Sequence, residues 1–274
     1  SRLKSIRKKI IYKSIDLKNF KKLKRELKFF DVVVHFAASA DIALGKTKTD
    51  VDLKDGTLAT YNVLECMRQN NIKKIIFSSS SAIYGNSSII PTPENAGPLL
   101  PISLYGASKL SGEALISAYC YLFGMKSWIF RFVSVVGRDM ERGVIKDLIK
   151  KLRKNPNKLK ILGDGHQKKD FIYIEDWLNA ILFAFENVDE QVNVFNIGSG
   201  TTILINKIAK MVTNLMKLKN VQYSYSKGKS GWPGDAPVVH YDITKIKNLG
   251  WHPKFSSDEA VKLAIIDMLE QELP

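Results

Sequence analysis

Ile75-Ile76-Phe77-Ser78-Ser79-Ser80-Ser81-Ala82-Ile83-Tyr84-Gly85 is the stretch on which the reading of the fold turns. Its apolar start has the character of a strand buried on both faces, and it runs directly into four hydroxyls. Short apolar runs of the same kind lie at 10–15, 31–36, 74–79, 127–133 and 192–197. Between them, apolar residues recur at helical spacing over 58–69, 108–122, 175–185 and 202–215. Buried strands alternating with amphipathic helices predict a parallel sheet covered by helices on both faces. Pro91, Pro93, Pro98 and Pro101 mark a loop over 86–104, and a glycine-rich irregular region spans 224–237. In open sheets of this kind the ligand binds outside the carboxyl ends of the strands, which is where the serines fall.

Twenty-five residues after Ser80 comes Tyr105-Gly106-Ala107-Ser108-Lys109. A Tyr and a Lys four apart share one helical face. A nearby ammonium favours the phenolate, and a shift of roughly three pH units, worth about 4 kcal/mol, would make the phenol a proton acceptor at neutral pH. The spacing alone selects nothing, since it recurs at Tyr223/Lys227, Tyr225/Lys229 and Tyr241/Lys245. The strand ending in hydroxyls just upstream is what selects Tyr105, because a hydroxyl beside a Tyr/Lys helix can hold an alcohol that is being oxidised.

Composition narrows the classes. The 274 residues suit one large α/β unit, or a nucleotide-binding domain with a smaller partner domain. No apolar run approaches the roughly 20 residues of a membrane helix, so no membrane partner is expected. Two cysteines, Cys66 and Cys120, at no metal or redox spacing point to a reduced, cytoplasmic setting. The net charge of +15 invites a nucleic-acid reading, but 34 of the 42 basic residues are Lys and only 8 are Arg. Base readers lean on Arg and stacking aromatics, so a solvated Lys surface that favours an anionic small substrate is the plainer reading, without nucleic acid. The histidines lack metal-ligand spacing, and no metal is expected. Gly198-Ser199-Gly200 imitates a dinucleotide turn, but Ile203 stands where a third glycine belongs.

Taken together, these segments resemble the extended short-chain dehydrogenase/reductase family, the NAD-dependent sugar-nucleotide epimerases and dehydratases, and within it the UDP-glucose 4-epimerase-like members. The resemblance runs from about residue 6 to 266. It rests on Ser14-Ile15-Asp16-Leu17, Val34-His35-Phe36-Ala37-Ala38, Phe77-Ser78-Ser79-Ser80 through Tyr84-Gly85, Tyr105/Lys109 and Arg131-Phe132-Val133-Ser134. The second half adds Ile161-Leu162-Gly163-Asp164-Gly165, Lys169-Asp170-Phe171-Ile172-Tyr173, Asn196-Ile197-Gly198-Ser199-Gly200, Gly234-Asp235 and Leu249-Gly250-Trp251.

The resemblance implies a Rossmann-like doubly wound parallel sheet with a smaller α/β substrate-binding domain. The NAD-binding domain would take residues 1–137 and 170–198, and the sugar-nucleotide domain 138–169 and 199–274. Asp16 and Leu17 would meet the adenine, Phe36, Ala37 and Ala38 the pyrophosphate and ribose, and Ser78, Ser79 and Phe132 the nicotinamide side. Ser80 matches the family's catalytic hydroxyl, Tyr105 its base, and Lys109 the residue that binds the nicotinamide ribose. Ser80, Tyr105, Ser134, Lys169 and Asp235 would contact a UDP-sugar. The implied reaction is 4-epimerisation through a transient 4-keto sugar, by a homodimer paired through a four-helix bundle of 58–69 and 108–122.

Several positions depart from the family pattern. Gly56 stands at a cofactor-contacting Asn, Ser134 at a substrate-contacting Asn, Lys169 at an Arg, and Trp232 at another Arg. Lys cannot reproduce the bidentate fork of Arg. Val239 falls at the position that limits sugar size, leaving room for an N-acetylated sugar. Dehydratases of the family place a carboxylate directly after the hydroxyl, where this chain has Ser81 and Ala82. The family's Cys/His reductase pattern is absent too. Dehydratase, reductase, decarboxylase and a non-catalytic nucleotide-binding protein that keeps the fold are the alternatives. A dinucleotide-binding sheet opens with a strand, a Gly-rich turn and a helix, and nothing of that kind precedes Ile10. The expectation is therefore a chain short of its N-terminal βαβ segment by about 40–45 residues, with residue 1 inside a loop.

Overall fold

The computed structural model describes residues 6–39, 41–226, 228–231 and 234–271. Its main sheet contains β1 (Val32–His35), β2 (Lys74–Ser78), β3 (Lys126–Phe132) and β8 (Val192–Ile197) in the order β1-β2-β3-β8, every pair parallel. Side chains alternate between the faces of a strand, and here the alternation sorts them into two cores. Ile75 and Phe77 of β2 and Ile129 of β3 point to one side, where they meet Leu23 of α1 (Phe20–Glu26), Val63, Leu64 and Met67 of α2 (Ala59–Gln69), and Ile116 and Cys120 of α3 (Leu104–Phe123). Ile76, Trp128, Phe130, Phe195 and Ile197 point to the other, against Trp177, Ala180 and Ile181 of α5 (Ile174–Asn187) and Ile246 of α7 (Thr244–Asn248). This is the parallel sheet that the alternation of runs predicts, in the Rossmann-like form that the resemblance implies.

A third core belongs to the second half. It joins α4 (Val144–Lys154), α6 (Ile205–Leu215) and α8 (Ser257–Glu270) to β5 (Lys158–Ile161), which pairs with β10 (Gln222–Tyr225). Helix α4 buries Ile145, Leu148, Ile149 and Leu152, while Lys150, Arg153 and Lys154 lie on its exposed side. This part of the positive charge is therefore the solvated face of an amphipathic helix. Short strands complete this half: β6 (Lys168–Lys169) lies between β9 (Ile203–Leu204) and β11 (Val238–Val239), and β4 (Ser134–Val136) pairs with β7 (Phe171–Tyr173).

The halves are fastened at Asp170. Its Oδ1 accepts hydrogen bonds from Ser199 N at 3.0 Å, Ser199 Oγ at 2.7 Å and Ser257 Oγ at 3.3 Å, tying β7 to the turn after β8 and to the start of α8. The turn Gly198-Ser199-Gly200 is thus part of a structural hub.

Two expectations need correction. Residues 10–15 form no strand; Ile11 is 87% exposed and Tyr12 62%. A parallel strand needs a neighbour and cover on both faces, and among the described residues nothing pairs with this stretch. The helix expected over 108–122 begins earlier, at Leu104, because the Ser103 hydroxyl accepts Gly106 N at 3.0 Å as its N-cap. Tyr105 therefore sits in the first turn of α3. Helix α2 likewise continues from a wider helical turn at Leu53–Leu58. Residues 1–5, Lys227 and Trp232, on which parts of the sequence reading fell, lie outside the described residues.

Candidate active site

The end of β2 and the start of α3 come together because α3 carries glycines where it crosses the strand. A Cβ on Gly106 would lie 2.5 Å from the Ala82 carbonyl oxygen and 2.9 Å from Pro101 Cβ. Only hydrogen at that position lets the first turn of α3 rest on the 3-10 turn Ser81–Tyr84. Ser80 caps that turn, its hydroxyl accepting Ala82 N at 3.1 Å, and its side chain stands near enough to Tyr105 to favour the phenolate. One turn further along α3, Lys109 is 3% exposed, and its ammonium donates to Ser78 O at 2.5 Å and Ser78 Oγ at 3.3 Å. The three residues Ser80, Tyr105 and Lys109 thus form one constellation.

Its electrostatics differ from the sequence expectation. Burial pushes the Tyr105 phenol above its usual value; the Ser80 hydroxyl pulls it back, and the Asp52 carboxylate pushes it up again. Lys109 does not draw it towards neutrality. The ammonium is turned to Ser78 and lies 4.9 Å from the Phe77 ring centroid, against 5.7 Å from that of Tyr105. Burial also lowers Lys109 itself, to about 8, with Glu113 opposing the shift. His35 is lowered to about 4 by burial and then by the Lys109 charge. Since Thr60 Oγ1 donates to Gly56 O at 2.8 Å, it must accept from His35 Nε2 at 2.9 Å, which assigns the ring proton to Nε2. His35 is a neutral structural group.

Around this centre the remaining predicted residues fall on two sides. On one, Phe36 and Phe132 pack on Trp177 with ring centroids 5.2 and 5.4 Å away, at the carboxyl ends of β1 and β3. Ala37 is exposed and Ala38 half-buried, two small side chains that leave the backbone after β1 approachable. Asp16 Oδ1 accepts Lys18 N at 2.9 Å, and Leu17 O accepts Asn62 Nδ2 at 2.9 Å, which fixes that turn to α2. Gly56 packs on α3, where a Cβ would lie 2.3 Å from Ser108 Oγ. The Asn pattern could not fit this helix contact. Ser79 is fully buried, and its hydroxyl points away from the cleft to Glu113.

On the other side is a cavity of about 510 Å³ lined by Ser81, Ala82, Ser134, Lys169, Asp235 and Val239 among others. A second cavity of about 790 Å³ adjoins it across Gly231, Gly234, Asp235 and Tyr241. Lys169 Nζ donates to Asp235 Oδ1 at 2.6 Å and to Ala236 O, while Gly231 N donates to Asp235 Oδ2 at 3.0 Å. These two residues therefore hold each other and the loop that roofs the cavity.

Sequence reasoning missed two participants. Asp52 is 1% exposed, and neither carboxylate oxygen has a hydrogen-bond partner among the described residues. No motif announces it. Glu113 was legible, standing four residues beyond Lys109 on the Tyr105/Lys109 face of α3.

The donor set fits a dinucleotide. A lysine ammonium has three N–H donors, and Ser78 accounts for two of those of Lys109, leaving one for a ribose hydroxyl beside the strand ends. Comparison with known proteins agrees. The profile described as the NAD dependent epimerase/dehydratase family matches residues 2–198. A protein of Methanocaldococcus jannaschii described as a putative UDP-glucose 4-epimerase is 33% identical over 247 residues, covering 88% of this chain and 78% of its own. A crystal structure of a UDP-galactose 4-epimerase superposes with a TM-score of 0.84 at 35% identity, covering 94% of this chain and 83% of that one. The Thermotoga maritima UDP-glucose 4-epimerase with UDP-glucose gives a TM-score of 0.87 at 28% identity, covering 98% and 87%.

Proposed function

The chain belongs to the NAD dependent epimerase/dehydratase family, and from that premise we propose that it inverts C4 of a UDP-hexose, with UDP-glucose and UDP-galactose as the pair. The observation that carries this reading is the constellation itself: the Tyr105 phenol beside the Ser80 hydroxyl, and the Lys109 ammonium one turn away, at the carboxyl end of a parallel sheet.

NAD, when bound, supplies reversible acceptance of the C4 hydride and, in its oxidised form, a positive charge that favours a nearby phenolate. Tyr105 takes the O4 proton as the alcohol becomes a ketone, and returns it when the 4-keto sugar is reduced on its other face. Ser80 donates a hydrogen bond to O4 and so orients it towards Tyr105. Lys109 would hold the ribose through its remaining donor, with Ser78 fixing the ammonium. On the cofactor side, Asp16, Leu17, Phe36, Ala37, Ala38, Gly56, Ser78 and Phe132 are the residues proposed to meet the dinucleotide, while Ser79, fully buried with its hydroxyl on Glu113, stands behind them. Ser134, Lys169 and Asp235 are proposed to meet the sugar nucleotide. Ser81 and Ala82 stand beside Ser80 on the cavity wall, and neither offers the carboxylate that water elimination needs, which supports epimerase over dehydratase.

The division into an NAD-binding part (1–137 and 170–198) and a sugar-nucleotide part (138–169 and 199–274) is part of this proposal, although the cores cross its bounds: Tyr241, Ile243, Ile246 and Trp251 pack in the core of the main sheet, and Val136 and Phe171 in that of the second half. Exposed Tyr61 on α2 and Tyr121 and Leu122 on α3 support a homodimer paired through those helices. Sedimentation equilibrium tests the dimer. The function is tested by incubating the NAD-loaded protein with UDP-glucose and following UDP-galactose. Interconversion that Tyr105→Phe abolishes is the expected result; an NAD-loaded protein that interconverts no UDP-hexose epimers overturns the reading.

A further inference from the structure

Helix α3 presents a third ionisable side chain on the face that carries Tyr105 and Lys109. Glu113 is 7% exposed and is paired with Arg131 of β3, itself 7% exposed. The pairing is bidentate: Arg131 Nη2 donates to Oε2 at 2.7 Å, and Nε to Oε1 at 3.0 Å and Oε2 at 3.2 Å. Arg131 Nη1 then donates to Tyr84 OH at 3.0 Å and Glu94 O at 2.8 Å, and Tyr84 OH donates to Asn196 Oδ1 at 2.7 Å. The network spans α3, the turn after β2, β3 and β8, with its polar atoms satisfied.

A buried ion pair is poor value as stability alone, because removing two charges from water costs about as much as their attraction returns. What such a pair does supply is fixed geometry, and here that geometry has a target. Glu113 also accepts the hydroxyl of Ser79. Ser79 lies between Ser78, whose carbonyl holds Lys109, and Ser80, whose hydroxyl meets Tyr105.

We propose that the Glu113–Arg131 pair is a positioning device for the reaction centre, setting through the Ser79 hydroxyl the distance between the Ser78–Ser80 strand end and the Tyr105–Lys109 face of α3. Glu113 and Arg131 touch neither cleft nor substrate; they act through Ser79. The Glu113 charge also opposes the lowering of Lys109 by burial. The inference rests on the reading of Tyr105 and Ser80 as the reaction centre.

The test is Ser79→Ala, which cuts the tie and leaves the ion pair intact, together with Glu113→Gln and the double variant, all in the NAD-loaded full chain. Misplacement by a fraction of an ångström to an ångström costs about ten- to a hundredfold in turnover. The expected result for Ser79→Ala is a kcat lower by about tenfold, with KM for the sugar nucleotide within about twofold. A cofactor-free readout is the ultraviolet titration of Tyr105, taken as the difference between each protein and its Tyr105→Phe form. The groups facing Tyr105 are Ser80 from the β2 end, Asp52 from the segment before α2, and Lys109 on its own helix. Lys109 in turn faces Glu113, and His35 on β1. Loosening Ser80 removes the one contact that pulls the phenol down, so its titration midpoint moves up by about one pH unit, the size of one lost hydrogen bond. The double variant turns over no more slowly than the worse single one, since both act through one path.

A Ser79→Ala protein with wild-type kcat and an unmoved Tyr105 titration overturns the proposal, whatever its melting temperature; so do losses that multiply in the double variant. If Glu113→Gln does not fold, Ser79→Ala decides alone. Should Tyr105→Phe retain full turnover, the functional reading fails. Should Tyr105→Phe be inactive while Ser79→Ala behaves as wild type, only this inference fails.

Discussion

Gly112→Ala places a methyl where α3 presses on β2. Its Cβ would stand 2.7 Å from Phe77 Cζ and 3.2 Å from Cε1. Carbon atoms rest at about 3.5–4.0 Å, so the ring or the helix must give by about 0.8 Å or more. Phe77 is 1% exposed and has nowhere to go. Overpacking of this kind costs about 1–3 kcal/mol, while replacing glycine within a helix returns up to about 1 kcal/mol. With an overlap of about 0.8 Å against an immobile ring, the cost sits at about 2 kcal/mol, the middle of that range, so the clash wins by about 1–2 kcal/mol, a fall of about 2–8 °C in melting temperature for a chain of this size. Because Phe77 is followed directly by Ser78, the displacement reaches the serines, and turnover falls further than the lost stability accounts for. The assay is urea denaturation alongside kcat, for Gly112→Ala and for Gly112→Ala combined with Phe77→Leu, which makes room for the methyl. A single variant as stable as the parent, or a pair whose effects simply add, would refute the reasoning.

Asp170 and His35 make opposite contributions to stability between about pH 4 and 6.5. Burial raises the Asp170 carboxyl to about 6, above its unfolded value of about 3.9. Its favourable contribution is thus full below about pH 4 and is lost as pH rises through 6, by about 3 kcal/mol in all; Asp170→Asn should remove that slope from the urea midpoints. The His35 ring is lowered to about 4 from about 6.5 when unfolded, so its contribution is present above about pH 6.5 and is lost as pH falls through 4. His35→Gln should lose less stability than the parent between pH 7 and 4.5. Asp52, raised by burial and then by Asp55, is costly when ionised. Asp52→Asn should raise the melting temperature by about 2–4 °C, more at pH 8 than at pH 5, and an unchanged difference scan would contradict it. Asp235→Asn releases Lys169 and Gly231 and should weaken UDP-sugar binding about tenfold by calorimetry.

The parts of the molecule legible in the sequence are those where local pattern and tertiary role agree. Strands β2, β3 and β8 read correctly because burial on both faces makes them continuous apolar runs, and α5 and α6 because one face is buried. Residues 10–15 carried the same composition yet form no strand, since a strand is defined by its neighbour and composition does not show one. The start of α3 was read too late because its cap, Ser103, sits among prolines that read as loop. At the site, the strand ending in hydroxyls singled out Tyr105 and Lys109 among the recurring Tyr/Lys spacings, and the family resemblance singled out Ser80 among four serines. The raised phenol was not legible: it follows first from burial and then from Asp52, brought beside Tyr105 by packing across more than fifty residues of sequence. Gly56 looked like a lost contact and is explained by the close approach of Ser108.

Asp170, Ser199 and Ser257 form a closed hydrogen-bonded ring: Asp170 Oδ1 accepts from both hydroxyls, and those hydroxyls lie 2.9 Å from each other. The same three residues also hold two backbone amides, Ser199 N on Asp170 Oδ1 and Phe171 N on Ser257 Oγ. Polar groups joined in this way strengthen one another and fail together. The turn after β8 and the start of β7 consequently share one opening event, and the amides of Ser199 and Phe171 should exchange with solvent at matched rates.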